Sequence, residues 1–141
     1  MLRNKALFVA STGQHIGKTT TCLALVAGAE NVLGKGNVGF MKPVGQRHVV
    51  VDGGLKVDKD VVLFKHQFKL EKCNYRDLSP VVIPAGYTRD FLDGKITETE
   101  QIASVERGFK AISSQHEFTG KLHSHKSVLR LCTHFLHLEQ W

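Results

Sequence analysis

The segment Ser11 to Thr20, Ser-Thr-Gly-Gln-His-Ile-Gly-Lys-Thr-Thr, constrains this chain more than any other. It follows a short apolar run, Ala6-Leu7-Phe8-Val9-Ala10, and leads into a long run of helix formers. Strand, glycine-bearing loop and helix in that order make a cradle for an anion. Backbone N–H groups of the loop and of the first helical turn converge, and the helix dipole adds partial positive charge there. In such a cradle Lys18 reaches the β- and γ-phosphates of a nucleotide, and the Thr19 hydroxyl sits on Mg²⁺. Gly13, Gly17, Lys18, Thr19 and Thr20 are the candidate phosphate-binding residues, with Thr19 also a candidate metal ligand. The general pattern places a glycine five positions before Gly17, where this chain has Thr12.

Hydrophobic patterning around this loop predicts an α/β fold with a parallel sheet. Residues 5–10 read as a buried strand, short and continuously apolar. From Lys18 to about Leu33 apolar residues cover nearly the whole circumference of a helix, which predicts burial on several sides and a stop at Gly34 and Gly36. Asn37 to Met41 is a second strand, broken by Pro43. That order is a βαβ unit with a right-handed crossover. Val44 to Val57, with Gly45, Gly53 and Gly54, reads as loop. Asp58 to about Leu70 reads as a helix with Asp58 as its N-cap and Val61, Val62, Phe64 and Phe68 as its apolar residues. Ser79 to Pro84 is a short extended segment. Thr97-Glu98-Thr99-Glu100 is a capping box opening a helix with a core face of Ile102, Val105, Phe109 and Ile112.

Composition narrows the partners. The chain has 141 residues, enough for one domain with a sizeable core, and is 42% hydrophobic and 23% charged. The net charge of +6 comes from lysines and arginines spread along the chain. A dispersed basic surplus suits a small polyanion, whereas nucleic-acid binding calls for a basic stripe. The nearest approach to a stripe is Lys65, Lys69, Lys72 and Arg76, which reads as a solvated helix face. No nucleic-acid partner is expected. Cys22, Cys73 and Cys132 are odd in number and widely spaced, so no disulfide framework is indicated and a reducing, cytoplasmic setting is the expectation. Cys22 reads as a small core residue. The N-terminal apolar stretch is too short for a signal peptide, and no run approaches the ~18 apolar residues of a membrane span, so no membrane partner is expected.

The pattern changes near residue 118. A parallel fold calls there for another apolar strand ending in an acid near the metal, and the chain instead reads Gly120-Lys121-Leu122-His123-Ser124-His125-Lys126-Ser127. Between Thr119 and Trp141 the only acid is Glu139. Cys132, His134 and His137, with His123 and His125 nearby, lack the paired short spacing of a zinc site, and Val128, Leu131, Cys132, Phe135 and Leu138 form an apolar helical stripe.

With the loop and Met41-Lys42-Pro43-Val44-Gly45-Gln46 both in view, the chain resembles the dethiobiotin-synthetase-like family of P-loop NTPases over about residues 4–118. That group also contains the cobyrinic acid synthases and the N-terminal domain of some phosphate acetyltransferases. The family loop begins Gly-Thr or Ser-Thr and ends Gly-Lys-Thr, and one helix later a strand ends in Lys-Pro, so Thr12 fits the family where it departs from the general pattern. The resemblance implies a P-loop NTPase-type parallel sheet with flanking helices, incomplete at its C-terminal side, with nucleotide at the C-terminal end of the first strand. It implies ATP and Mg²⁺ as cofactors, Lys18 as a catalytic residue, and Lys42 as the lysine that helps hold substrate and carbamate. Asp60 looks like an aspartate of the metal shell. Asp58 is an alternative for that role, and either could cap the helix. The family's Glu-Gly-Thr/Ala-Gly turn, whose glutamate is a metal ligand, is absent after His116-Glu117-Phe118-Thr119, and Val44-Gly45-Gln46 replaces a serine found in some synthetases.

These readings divide the chain into 1–118, the N-terminal part of a nucleotide-binding domain, and 119–141, a divergent tail outside the native fold. The leading expectation is an ATP-binding fragment of that family with little or no turnover. A regulatory nucleotide-binding module without ligase chemistry and a non-functional misread gene product are the alternatives. Without the expected later strand a sheet edge lies open, which predicts self-association.

Overall fold

The computed structural model describes Leu7, Val9, Ala10, residues 16–116 and Ser127–Val128. It is mixed α/β, with short parallel strand pairs and flanking helices. Half of the strand expected over 5–10 lies outside the described residues; Leu7, Val9 and Ala10 are described without strand pairing, and Val9 packs against the core. The first helix, α1 (Lys18–Leu33), begins and ends where glycine permits the backbone to turn. Gly17 precedes it at φ 88° and Gly34 follows it at φ 92°, both in the region that side chains with a Cβ disfavour. The Asn37 amide donates to the Leu33 carbonyl at 2.9 Å, satisfying one of the orphan acceptors at the helix end.

Burial on several sides of α1 is not observed. Cys22 and Val26 are buried and Leu23, Ala29 and Leu33 pack beside them, whereas Leu25 and Val32 are exposed. Cys22, Val26, Ala29 and Leu33 recur at spacings of four and three, so α1 seats one stripe on the core. No described element covers the opposite face.

Strand β1 (Val38–Gly39) and strand β2 (Val44–Gly45) follow α1, and the chain between them carries Phe40, Met41 and Lys42. The expected loop over 44–57 is instead largely strand. Beyond β2, β3 (His48–Val51) and β4 (Leu55–Asp58) form an antiparallel hairpin, with Val49 opposite Val57 and Val51 opposite Leu55. The three consecutive valines favour extended backbone. Gly53 and Gly54, at φ 77° and 76°, supply the reversal, so glycines that resemble loop composition are the turn of a hairpin.

Helix α2 (Lys59–Gln67) starts where expected, with the Asp58 side chain accepting from the Asp60 N–H. Phe64 on α2 stacks on Phe40 with ring centroids 3.7 Å apart and planes 10° from parallel. Burying a phenylalanine contributes about 1.5–3 kcal/mol, and this pair anchors α2 to the segment after β1. Short helix α3 (Tyr75–Leu78), strand β5 (Val81–Val82) and short helix α4 (Tyr87–Leu92) come next. β5 pairs in parallel with β2, Val44 opposite Val81.

The last long helix, α5 (Glu98–Gln115), opens with the expected capping box between Thr97 and Glu100. Of the expected face, Ile112 is buried and Val105 and Phe109 pack against the core, whereas Ile102 is exposed. Gln101, Gly108 and Ser113 are buried as well. Gly108 widens the contact: a Cβ there would lie 2.7 Å from the Asp77 carbonyl, so α5 meets α3 along a glycine that hydrophobic periodicity does not count. The tail expected to stand outside the fold lies outside the described residues except for Ser127–Val128, strand β6, which pairs in parallel with β1. Cys132 and the tail histidines are likewise outside them.

His116, at the end of α5, ties three segments together. Its Nδ1 lies 3.0 Å from the Gly36 carbonyl and its Nε2 3.5 Å from the Cys73 sulfur. A carbonyl only accepts, so Nδ1 carries the proton and Nε2 accepts from the thiol. Burial pushes the Cys73 thiol up, which keeps it protonated. Burial pushes His116 below the usual histidine value, outweighing the Gly36 bond that favours its charged form. A depressed folded-state value contributes stability that is present above the unfolded pKa of about 6.5 and is lost as pH falls through the folded one. Urea midpoints of the wild-type chain should therefore drop as pH falls below about 6.5, and His116→Gln should flatten that dependence. An unchanged slope in the variant would exclude His116 as its source.

Candidate active site

Four side chains from three stretches of sequence converge at the N-terminal ends of α1 and α2. The Thr19 hydroxyl, in the first turn of α1, donates to Asp60 Oδ2 at 3.2 Å. The Lys42 ammonium, carried between β1 and β2, is 2.8 Å from the same Asp60 oxygen and 2.9 Å from Asp58 Oδ1. Asp58 ends β4 and caps α2, and Asp60 lies in the first turn of α2. Carboxylates at a helix N-terminus are favoured by the dipole and by unpaired N–H groups. One ammonium thus faces two carboxylates, and the Lys59 charge also acts on Asp60.

Burial distinguishes the two acids. Asp58 has no exposed side-chain surface, whereas that of Asp60 is 20% exposed. Burial works to raise the Asp60 carboxyl, but the Lys42 hydrogen bond and charge, with the Thr19 hydroxyl, outweigh it and hold it below the usual carboxylate range. Burial likewise works to lower the Lys42 ammonium, and the two carboxylates reverse this and hold it above the usual lysine value.

Of the residues expected at the site, Thr19, Lys42 and Asp60 are brought together. Gly17 is the left-handed N-cap of α1, and its carbonyl accepts from the Thr21 N–H at 2.9 Å. Lys18 lies half-buried in the first turn of α1, and Thr20 is exposed. Gly13 and His15 lie outside the described residues. Two contributors are legible only in three dimensions. Gly45 read as loop, yet a Cβ there would sit 2.5 Å from the Asp58 Cβ and Oδ2. Ser79 Oγ accepts from the Asp58 N–H at 3.1 Å. The supposed solvated face also differs, since Lys65 donates to the Leu70 and Cys73 carbonyls and lies over the Tyr75 ring.

A hydroxyl beside a partly exposed carboxylate is a hard-oxygen donor set of the kind that suits Mg²⁺, which keeps several waters and takes one or two protein ligands plus phosphate oxygens. Among the described residues no group of three or more His, Cys, Asp or Glu converges, so an all-protein cage of that kind is not formed there.

The AAA_26 family model, an AAA domain, matches residues 5–119, and the chain belongs to that P-loop NTPase family. No curated protein and no solved structure matches the chain. Among the described residues no helix is long and apolar enough to cross a membrane.

Removing Lys42 would leave the buried Asp58 carboxylate without a counter-charge. Breaking a buried pair costs about 3–5 kcal/mol, and the partial exposure of Lys42 puts this one near the lower figure. Lys42→Met should therefore lower stability by roughly 3 kcal/mol in urea unfolding. A loss below about 0.5 kcal/mol would place the pair with surface ion pairs instead.

Proposed function

We propose that this chain is an ATP-binding domain resembling dethiobiotin synthetase, with Mg²⁺ at Thr19 and Asp60 and with little or no turnover. The observation that carries the reading is the meeting of Thr19 and Asp60, 41 residues apart in sequence, at 3.2 Å beside the α1 N-terminus. In this reading Gly13, Gly17, Lys18, Thr19 and Thr20 hold the phosphates, through backbone N–H groups, the Lys18 ammonium and the Thr19 hydroxyl. Bound Mg²⁺ supplies charge neutralisation on the β- and γ-phosphates. Lys18 and Lys42 supply fixed positive charge. Calorimetry should detect weak binding of Mg·ADP that Lys18→Ala abolishes, and equal affinity in that variant would exclude the loop as the site.

Turnover has a further requirement. The family's second acidic metal ligand has no counterpart after Phe118, and losing a single charge-stabilising group can cost ~10²–10³-fold. ATP hydrolysis should not exceed that of Lys18→Ala, and a steady-state rate above this control would contradict the reading.

A regulatory nucleotide-binding role without ligase chemistry is the second reading, favoured by the Lys42 ammonium being engaged by two carboxylates. An anionic substrate would compete with both. Self-association belongs to either reading, because Leu25 and Val32 of α1 and Val49 and Val50 of β3 are exposed apolar residues. Sedimentation velocity should show species larger than the 15.7 kDa chain, and a single monomeric boundary would remove this element.

A further inference from the structure

Asp58 is more elaborately held than a helix cap requires. Capping α2 needs only a side-chain oxygen, which asparagine, serine or threonine supplies as well. Here the capping residue is a carboxylate with no exposed surface, at a position where an ionised group is costly unless paired. Its Oδ1 accepts from Lys42 Nζ and from the Asp60 N–H, each at 2.9 Å. Its Oδ2 has no donor among the described residues, so Lys42 is the charge that offsets its burial. Its own N–H donates to Ser79, which is also buried. The room for its side chain exists because Gly45 on β2 has no Cβ. Gly45 is not at a positive φ, so the need there is for space and not for a turn.

We propose that Asp58 is a positioning residue for the cation site, holding the Lys42 ammonium and the Asp60 backbone in register so that a divalent cation can take the Asp60 carboxylate. The inference rests on the reading of Thr19 and Asp60 as the Mg²⁺ site. A cation binding at Asp60 would displace an ammonium that has a second carboxylate to remain on. With Asp58 neutral, Lys42 pairs with Asp60 alone. An incoming cation would then have to break that pair at a site with one carboxylate fewer. Coulombic terms of this size at a partly buried site amount to tenfold or more in cation requirement.

The test is ADP binding by calorimetry over a range of Mg²⁺ concentrations and in EDTA, for wild type, Asp58→Asn, Gly45→Ala and Lys18→Ala. Asparagine keeps the volume and the cap acceptor, so α2 is retained while the charge is lost. Asp58→Asn should need about tenfold more Mg²⁺ for half-maximal binding, with ADP affinity in EDTA unchanged. Gly45→Ala, which pushes on the same carboxylate from another strand, should shift the requirement in the same direction. An unchanged Mg²⁺ requirement in Asp58→Asn overturns the proposal. So does an equal loss with and without Mg²⁺, which would mark Asp58 as a structural cap only. If wild type and Lys18→Ala alike bind no nucleotide, the nucleotide reading fails by itself, and a spectroscopic readout then decides the role of Asp58. The ¹H–¹⁵N signal of the Lys42 ammonium, identified by its absence in Lys42→Met, should be protected from exchange in wild type and exchange faster in Asp58→Asn, where only the Asp60 carboxylate still holds it. An unchanged exchange rate in Asp58→Asn overturns the proposal.

Discussion

The Lys42 ammonium, set between Asp58 and Asp60, is the interaction on which the rest of the site depends. Through it the segment after β1 is joined to the end of β4 and the first turn of α2, and through Asp60 and Thr19 the join extends to α1. A buried carboxylate tolerates few arrangements, because its charge has to be met by a cation and by N–H groups at hydrogen-bonding distance. Asp58 has both, from Lys42 and from the backbone of Asp60. The position of Lys42 is fixed in turn by Phe40 and Met41, buried just before it, and by the bond from its own N–H to the Leu78 carbonyl at 2.9 Å. The apolar core and the charged site are therefore consecutive residues of one extended segment.

How far the fold could be read in advance follows from where each signal resides. α1, α2 and α5 were legible because helix ends are written locally: Gly34 after α1, Asp58 before α2, and Thr97 with Glu100 at α5. The β3–β4 hairpin was not, although it too is local. Three glycines within 45–54 resemble loop composition, and neither strand buries a continuous apolar run. Val49 and Val50 are exposed, so the valine run gives no inward and outward alternation. The wider contact of α5 was hidden for a different reason. Close approach of two backbones at Gly108 leaves no apolar side chain to count, and the buried polar residues Gln101 and Ser113 are subtracted from the hydrophobic face.

The same division holds for the site. Gly17, Lys18 and Thr19 stood out because phosphate chemistry calls for those residue types at short, fixed spacing, whereas Lys42 was marked only by the family resemblance. Asp58 and Asp60 could not be told apart on sequence, since both stand within one turn of a helix start and either can cap it. Their difference is one of environment, full burial against partial exposure, with only Asp60 in reach of Thr19. Gly45 and Ser79 carry no chemistry of their own, and nothing marks them until Asp58 is seen to need space and an acceptor.

Charge decides what such a site accepts first. Two carboxylates hold the Lys42 ammonium, and an anion approaching Lys42 has to compete with both. In the proposed reading a dication at Asp60 would add positive charge beside Lys42, and an anionic group there would then face a more favourable field. The phosphates of a nucleotide arriving with their own Mg²⁺ satisfy this order in one step, because the metal and its phosphate ligands enter together. A carboxylate or carbamate without a metal does not, and it would also have to take Lys42 from Asp58, whose burial leaves that carboxylate no solvent in exchange. In the proposed reading, the arrangement that holds Lys42 in place thus favours metal-bound polyphosphate over a bare anion.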